Sequence, residues 1–374
     1  RYLRKKLVND GIELPLIKDN MQTKPVSDEV IETRFPSDEP INLSSSAVTT
    51  FYNNQYKYFL QYVLGLQEVE TIHPDARNHG TYLHRVFELV MKDASNQPFD
   101  NKLDRAIQTT NAEDAFKFIY EEDEESRYSL TVLEDIARST ATILRQDTQI
   151  QVENEEEPFE LMLANAVRIR GIIDRVDRLS DGSLGVVDYK SSNNTFDIQK
   201  FYNGLNPQLV TYMQALRDKK IKSESDKIFG AMYLHMQEPK VDLSSVTTTE
   251  KILENLSKEL RYRGLFLEDE KGYLSNGNYH LNDSVYTQEE LDILLAYNQK
   301  LFLQAAEQIK QGYFLINPYS EDGKTVKGDQ LKAITRFEAD RHMPYARKWF
   351  KLPRKDRRQG FLSLMQEEEE KDDL

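Results

Sequence analysis

The chain has 374 residues, with 49 basic against 63 acidic side chains, a net charge of −14, 39% hydrophobic residues and no cysteine. That is length for one large or two ordinary domains. The missing thiols exclude disulfides, thiolate zinc sites and iron–sulfur ligation, and fit a cytoplasmic protein. The acidic balance argues against a simple basic DNA-coating protein, and no run of about 18 apolar residues offers a membrane span.

Residues 1–41, with Pro15, Pro25, Pro36 and Pro40 and little periodicity, read as a linker or the end of a preceding domain. Arg1 in place of a starting Met suggests a fragment of something longer, and no signal peptide opens it. Ser44-Ser45-Ser46 offers N-caps for one aromatic helix carrying Val48, Phe51, Tyr52, Tyr58, Phe59, Tyr62 and Val63. A second helix is expected after Gly80, with Leu83, Val86, Phe87 and Val90 at helical spacing and His84 on the flank of that stripe. Residues 100–150 read as charged helices with an exposed joint at Glu121 to Glu125, part of a helical insertion at about 95–157.

From Phe159 the pattern turns to strands. Gly171 to Arg178 and Gly185 to Ser192 flank the loop Ser180-Asp181-Gly182. A three-residue hairpin loop puts Gly182 at the left-handed position of a G1 bulge. In that register residue 174 stands opposite residue 188, so Asp174 and Asp188 face each other with Cβ atoms about 5 Å apart. Alternation points Lys190 the same way as Asp188 and Tyr189 the other way. Ile172, Val176, Leu184 and Val186 fill out the carboxylate face and predict its burial.

Beyond the hairpin, Asn206-Pro207 is expected to cap and start a helix with Leu209, Tyr212, Met213 and Leu216 as its stripe, Gln208 and Tyr212 sharing a face. A third strand, Ile228 to Met236, sets Ala231, Tyr233 and His235 against Met232, Leu234 and Met236. A helix from about Thr287 to Gln311 closes the ordered part. The basic stretch from Arg341 to Arg358, interleaved with Tyr345, Trp349 and Phe350, reads either as a phosphate-tracking segment or as a solvated helix face. Residues 361–374 read as a disordered acidic tail. Helices and strands in this order indicate a mixed α/β core with helical additions.

Two carboxylates face to face repel unless a cation lies between them. An acidic pair in an apolar row, with an ammonium two residues along, suggests a site for a hard divalent cation; the plain alternative is a solvated hairpin. A metal held by Asp174 and Asp188 would activate water and neutralise phosphate charge, with Lys190 orienting the nucleophile or offsetting charge. The Tyr189 carbonyl is a further oxygen donor. His84 is the best distal candidate ligand, although a lone histidine beside an apolar stripe is ordinarily structural. Asp322-Gly323-Lys324-Thr325 imitates the end of a P-loop, but Pro318 stands where Gly is needed, which argues against ATP binding here.

Asp174 with Asp188-Tyr189-Lys190 resembles the PD-(D/E)xK nuclease motif in its RecB-like form. The wider run, Gly171-x-x-Asp174-Arg175-x-Asp177 to Pro207-Gln208-Leu209-x-x-Tyr212, resembles the C-terminal nuclease domain of the B subunits of AddAB/RexAB helicase–nucleases. Gly80 to Val86, Gly230 to His235 and Leu43-Ser44-Ser45-Ser46 are similar to other motifs of that family, over about residues 42–340. The resemblance implies a restriction-endonuclease-like core over 42–360. It makes His84, Asp174, Asp188 and the Tyr189 carbonyl metal ligands, Lys190 the catalytic lysine, and Gln208 and Tyr212 DNA-positioning residues. It also implies Mg²⁺, with Mn²⁺ as a substitute, DNA as substrate and an A subunit carrying the ATPase motor. The expected activity is exonucleolytic hydrolysis of one strand in double-strand break repair. A non-catalytic DNA-binding module of the same fold and a CRISPR spacer-processing nuclease are the alternatives.

Many such B subunits hold a 4Fe–4S cluster on four cysteines. The corresponding positions here are Asn54, Val326, Asp329 and Thr335, so the resemblance is to the cysteine-free RexB branch. Packing of Phe51, Tyr58 and Phe59 against the segment near Phe337 is expected to replace the cluster as a staple.

Overall fold

A computed structural model describes residues 10–11, 21, 23–66, 73–146, 150–221, 225, 227–237, 248, 251–252, 255, 258–275, 277–326 and 331–372. The elements begin with α1 (Asp28–Arg34), β1 (Ile41–Leu43), α2 (Ser45–Asn53) and α3 (Gln55–Tyr58), which runs on as a π-turn over Phe59–Val63. Four helices follow: α4 (Ala76–Lys92), α5 (Phe99–Ala112), α6 (Asp114–Tyr120) and α7 (Glu124–Gln146). Then come β2 (Ile150–Leu163), β3 (Val167–Leu179), β4 (Leu184–Lys190), α8 (Ile198–Tyr202), α9 (Gln208–Arg217), β5 (Ile228–His235), β6 (Arg263–Leu267) and β7 (Val285–Tyr286). After α10 (Gln288–Lys310), β8 (Tyr319–Ser320) pairs with β9 (Arg347–Lys348), and α11 (Arg357–Asp372) ends the described chain.

The main sheet runs β1-β3-β4-β5-β6-β7, with β2 antiparallel along the other edge of β3. It is mixed: β1 lies parallel to β3, β3–β4 and β5–β6 are antiparallel, and β4–β5 and β6–β7 are parallel. One face packs α2, α9 and α10 through Phe51, Leu209, Met213 and Phe302 onto Val176, Val186 and Ala231. The other packs α4 to α7 through Phe87, Ile107, Phe116 and Leu133 together with Val187, Met232 and Leu234. The alternation expected for the third strand therefore holds: its two sets of side chains serve two separate cores.

The hairpin has the expected register, with Arg175 opposite Val187, Val176 opposite Val186 and Asp177 opposite Gly185. Gly182 has φ +89°, the left-handed region that its place in the loop demands. Thr287 and Glu290 form a capping box at the head of α10, which explains where that long helix starts.

Several boundaries differ from expectation. The aromatic helix breaks at Asn54, which is extended and whose side chain caps α3 by accepting from the Tyr56 and Lys57 amides. Gly80 lies inside α4 rather than before it, because Asp75 is the residue that caps this helix. β2 begins at Ile150, not Phe159, so the helical insertion ends short of residue 157. Pro207, not Asn206, is the N-cap of α9, and Asn206 donates to the Thr195 carbonyl instead. Part of the supposed linker packs on the core: Ile31 is buried, and the Val26 amide donates to the Gly312 carbonyl.

The acidic tail is helical through Asp372, with Phe361, Leu362 and Met365 buried in the first core. The basic stretch forms a strap rather than one helix. Arg347 stacks on Tyr52 with its guanidinium 4.8 Å from the ring centre and donates to the Tyr52 carbonyl. Arg358 stacks on Tyr286 at 4.1 Å and pairs with Glu290.

The staple also differs. Phe59 and Tyr58 stack on Phe314, and the Tyr56 amide donates to the Leu315 carbonyl. Phe337 packs with Ile316 and Tyr56 in a separate small cluster. Hydrogen bonds and rings thus join the start of the domain to residues 314–317.

Candidate active site

β1 covers only Val167 to Ile169 on its edge of β3, and β4 pairs only from Arg175 onward. Asp174 lies in the gap between them, where an unpaired edge leaves room for its side chain. Opposite it on β2, Glu156 has φ +48°. Ile173 and Val176, three residues apart, both enter the same core, so strict alternation is interrupted beside Asp174. This interruption explains why Ile172, expected to be buried with the carboxylates, is 56% exposed.

The expected site residues come together. Asp174 Oδ2 accepts the Tyr189 amide at 2.7 Å and lies 3.7 Å from His84 Nδ1. His84 Nε2 is 3.0 Å from the Tyr189 carbonyl. A carbonyl only accepts, so Nε2 carries the proton and donates. Asp188 is 2% exposed; its Oδ1 accepts from Gln208 Nε2 at 2.9 Å and Tyr212 Oη at 3.0 Å. Its Oδ2 is buried without an aligned hydrogen-bond donor, beside the Lys190 ammonium at 2.5 Å. The Lys190 ammonium also lies 5.7 Å from the centre of the Tyr233 ring.

Burial, followed by the neighbouring Asp188 charge, pushes the Asp174 carboxyl up to about 7. Burial lowers the His84 imidazole below its ordinary value, which keeps it neutral. Its Nδ1 then presents a lone pair toward Asp174 Oδ2. Two electron-rich atoms so placed call for a proton or a cation between them.

Among the described residues, no three His, Asp or Glu side chains already converge as a closed cage. The donor set nevertheless suits a hard dication, which takes one or two carboxylates and completes its shell with water and phosphate oxygens. Asp174, the uncapped Asp188 Oδ2 and the His84 lone pair are the donors available. The Tyr189 carbonyl is engaged with His84 in this arrangement.

Sequence reasoning missed the support behind the hairpin. Arg175, fully buried, donates to Asp177 Oδ2 at 2.7 Å, Tyr262 Oη at 2.9 Å and Tyr189 Oη at 3.3 Å. Tyr189 is thereby fixed at both ends, its ring by Arg175 and its backbone by Asp174 and His84. The signal was present in Asp174-Arg175-x-Asp177: charged residues alternating with the carboxylate, on the face opposite it, within a strand buried on both sides.

The chain matches the PD-(D/E)XK nuclease superfamily over residues 42–325. It is 68% identical over 376 aligned positions to the B subunit of the ATP-dependent helicase/deoxyribonuclease of Streptococcus mutans, covering 100% of this chain and 35% of that protein. The subunits of the same description from Streptococcus agalactiae and Streptococcus pyogenes are 63% and 54% identical, covering 100% and 98% of this chain and 35% and 34% of theirs. The chain spans about a third of the length of the curated relatives it matches. The resemblance read from its motifs holds, and with no cysteine it has no thiolates for an iron–sulfur cluster.

Proposed function

The chain belongs to the PD-(D/E)XK nuclease superfamily, and from that premise we propose that it is a Mg²⁺-dependent deoxyribonuclease hydrolysing one DNA strand to 5′-phosphate and 3′-hydroxyl ends. The observation that carries this reading is the convergence of Asp174, Asp188 and Lys190 at the open end of one hairpin. Asp174, Asp188 and His84 would hold the cation, with the Tyr189 carbonyl as a further ligand once His84 releases it. A cation there supplies neutralisation of phosphoryl charge and a lowered pKa for bound water.

The chain's own groups do the rest. Lys190, now paired with Asp188, is placed to turn toward the attacking water or the phosphoryl oxygens as charge develops. Gln208 and Tyr212 fix one Asp188 oxygen, leaving the other for exchange. Gln208 also lines the open cleft beside the site, where it would orient the strand, and Tyr212 would hold that side chain in place by accepting from Gln208 Nε2 at 2.9 Å. The relatives' description as subunits of an ATP-dependent helicase/deoxyribonuclease supports a setting in which a partner motor feeds DNA to this domain during recombinational break repair. A separate motor would also account for Pro318 in place of a P-loop glycine.

Single-turnover cleavage of labelled single-stranded DNA with Mg²⁺ and with EDTA tests the reading. Asp188→Ala and Lys190→Ala should each lower the rate by about a hundred- to a thousandfold, in line with the loss of a charge-stabilising group, with the fold kept by circular dichroism. Retained cleavage in either variant would overturn the assignment. DNA binding indifferent to metal, without cleavage, would favour a non-catalytic module.

A further inference from the structure

We propose that a cleft beside the β3–β4 hairpin is a subsite for the DNA phosphodiester next to the one being cut, with Lys200, Ser45 and Ser46 as its anion-binding groups. The inference rests on the nuclease reading above. The cleft holds about 460 Å³, and its wall includes Lys190 and Gln208, both in contact with Asp188, so it adjoins the hairpin site. That volume lies in the lower part of the range for single small-molecule sites. It admits one nucleotide unit of a single strand rather than a duplex.

The charged part of its lining is of one sign. Two lysines, Lys190 and Lys200, face the cleft and no carboxylate does, in a chain with net charge −14. Lys190 is engaged by Asp188, whereas Lys200 has no carboxylate partner among the described residues. Its backbone is fixed: the Asp197 side chain accepts the Lys200 amide at 3.1 Å at the head of α8. An ammonium with no counter-charge, on an anchored turn beside a phosphoryl-transfer site, has a phosphate as its natural counterion.

The facing wall supplies neutral donors. Thr49 Oγ1 donates to the Ser45 carbonyl at 2.8 Å and Thr50 Oγ1 to the Ser46 carbonyl at 2.9 Å, so both threonine protons are engaged within α2. The Ser45 and Ser46 hydroxyls line the same cleft, and among the described residues neither donates to another group. Two free hydroxyls and one free ammonium match the non-bridging oxygens of a phosphodiester. Contacts of this kind fix register along the backbone and carry no base information.

The test uses the full-length protein with its partner subunit and single-stranded oligonucleotides carrying one uncharged methylphosphonate at each position in turn. For the unchanged protein, a neutral linkage adjacent to the cut should slow single-turnover cleavage about tenfold, as loss of one phosphate contact does. Lys200→Ala should show a similar slowing on all-phosphate DNA and no further penalty from the neutral linkage. Lys200→Arg should restore the coupling. Binding of the all-phosphate oligonucleotide in EDTA gives a second readout: the slope of log affinity against log salt should fall by about 0.7 in Lys200→Ala. An unchanged salt slope, or a methylphosphonate penalty that survives Lys200→Ala, would overturn the subsite. Absence of metal-dependent cleavage by the unchanged protein would instead sink the nuclease reading, which the metal-free slope does not depend on.

Discussion

Glu155 stands opposite Arg175 across β2 and β3, with Oε1 buried and without a hydrogen-bond partner. Burial pushes its carboxyl up to about 7, only partly offset by Lys92 and Arg175. A carboxyl raised on folding is bound to its proton more tightly in the native state, so its contribution to stability is complete below about pH 4.5. That contribution is lost as pH rises toward 7. Glu155→Gln should therefore leave the unfolding free energy unchanged at pH 4.5 and raise it at pH 8, by on the order of 1 kcal/mol after discounting for partial exposure, with the melting temperature following. Equal shifts at both pH values in a calorimetric scan would rule this out. The neighbouring Arg175–Asp177 pair is different in kind, because both side chains are almost wholly buried. Asp177→Leu alone strands a buried guanidinium and should cost about 3–5 kcal/mol. Adding Arg175→Met should recover a large part of that loss in denaturant melts, since the double variant leaves no unpaired charge.

Among the elements, the hairpin was the most legible, because a period of two, a turn glycine and a paired carboxylate all required the same register. The helix α10 was legible for a similar reason: Thr287 and Glu290 form a cap recognisable from spacing alone. What escaped was polar on the surface and apolar at only a few positions. Between Val152 and Phe159 β2 carries Glu153, Asn154, Glu155, Glu156, Glu157 and Pro158, so its first half reads as a continuation of the charged helices although it pairs along an entire strand. In α11 the glutamate run masks Phe361, Leu362 and Met365, whose i, i+1 and i+4 spacing lays one narrow stripe on the core. Glu368 even accepts a hydrogen bond from Tyr202 at 2.7 Å. Phe361→Ala should therefore destabilise the domain by about 3–5 kcal/mol, a core-scale loss. A change within about 0.5 kcal/mol in urea titration would restore the reading of a solvated tail. Gly204 makes a related point: it has φ +77°, and a Cβ there would approach the Tyr52 ring within 2.4 Å. That close approach depends on a tertiary contact between α2 and the end of α8, which no local pattern reveals.

At the scale of the whole molecule, the sheet separates two cores, and the candidate site lies where they meet. His84 comes from α4, which belongs to one core, whereas Gln208 and Tyr212 come from α9 in the other. Asp174 and Asp188 lie between them on the sheet. A cation shared by His84, Asp174 and Asp188 would thus tie the α4 layer to the sheet, offsetting the burial and the Asp188 charge that raise the Asp174 carboxyl. Binding to the folded state alone must then raise stability by mass action, by about 2.7 kcal/mol when the ion is at a hundred times its dissociation constant. Added Mg²⁺ or Mn²⁺ should accordingly raise the unfolding midpoint of the unchanged chain in a concentration-dependent way, without any DNA. Asp174→Asn should abolish the increment, and His84→Ala should move it to higher metal concentration while leaving its slope against log metal concentration intact. Ca²⁺ serves as a control for the donor chemistry, since its larger shell demands more oxygen ligands than these residues provide. An increment that survives Asp174→Asn would locate the stabilising ion elsewhere on this acidic surface and remove the thermodynamic support for a cation at the hairpin.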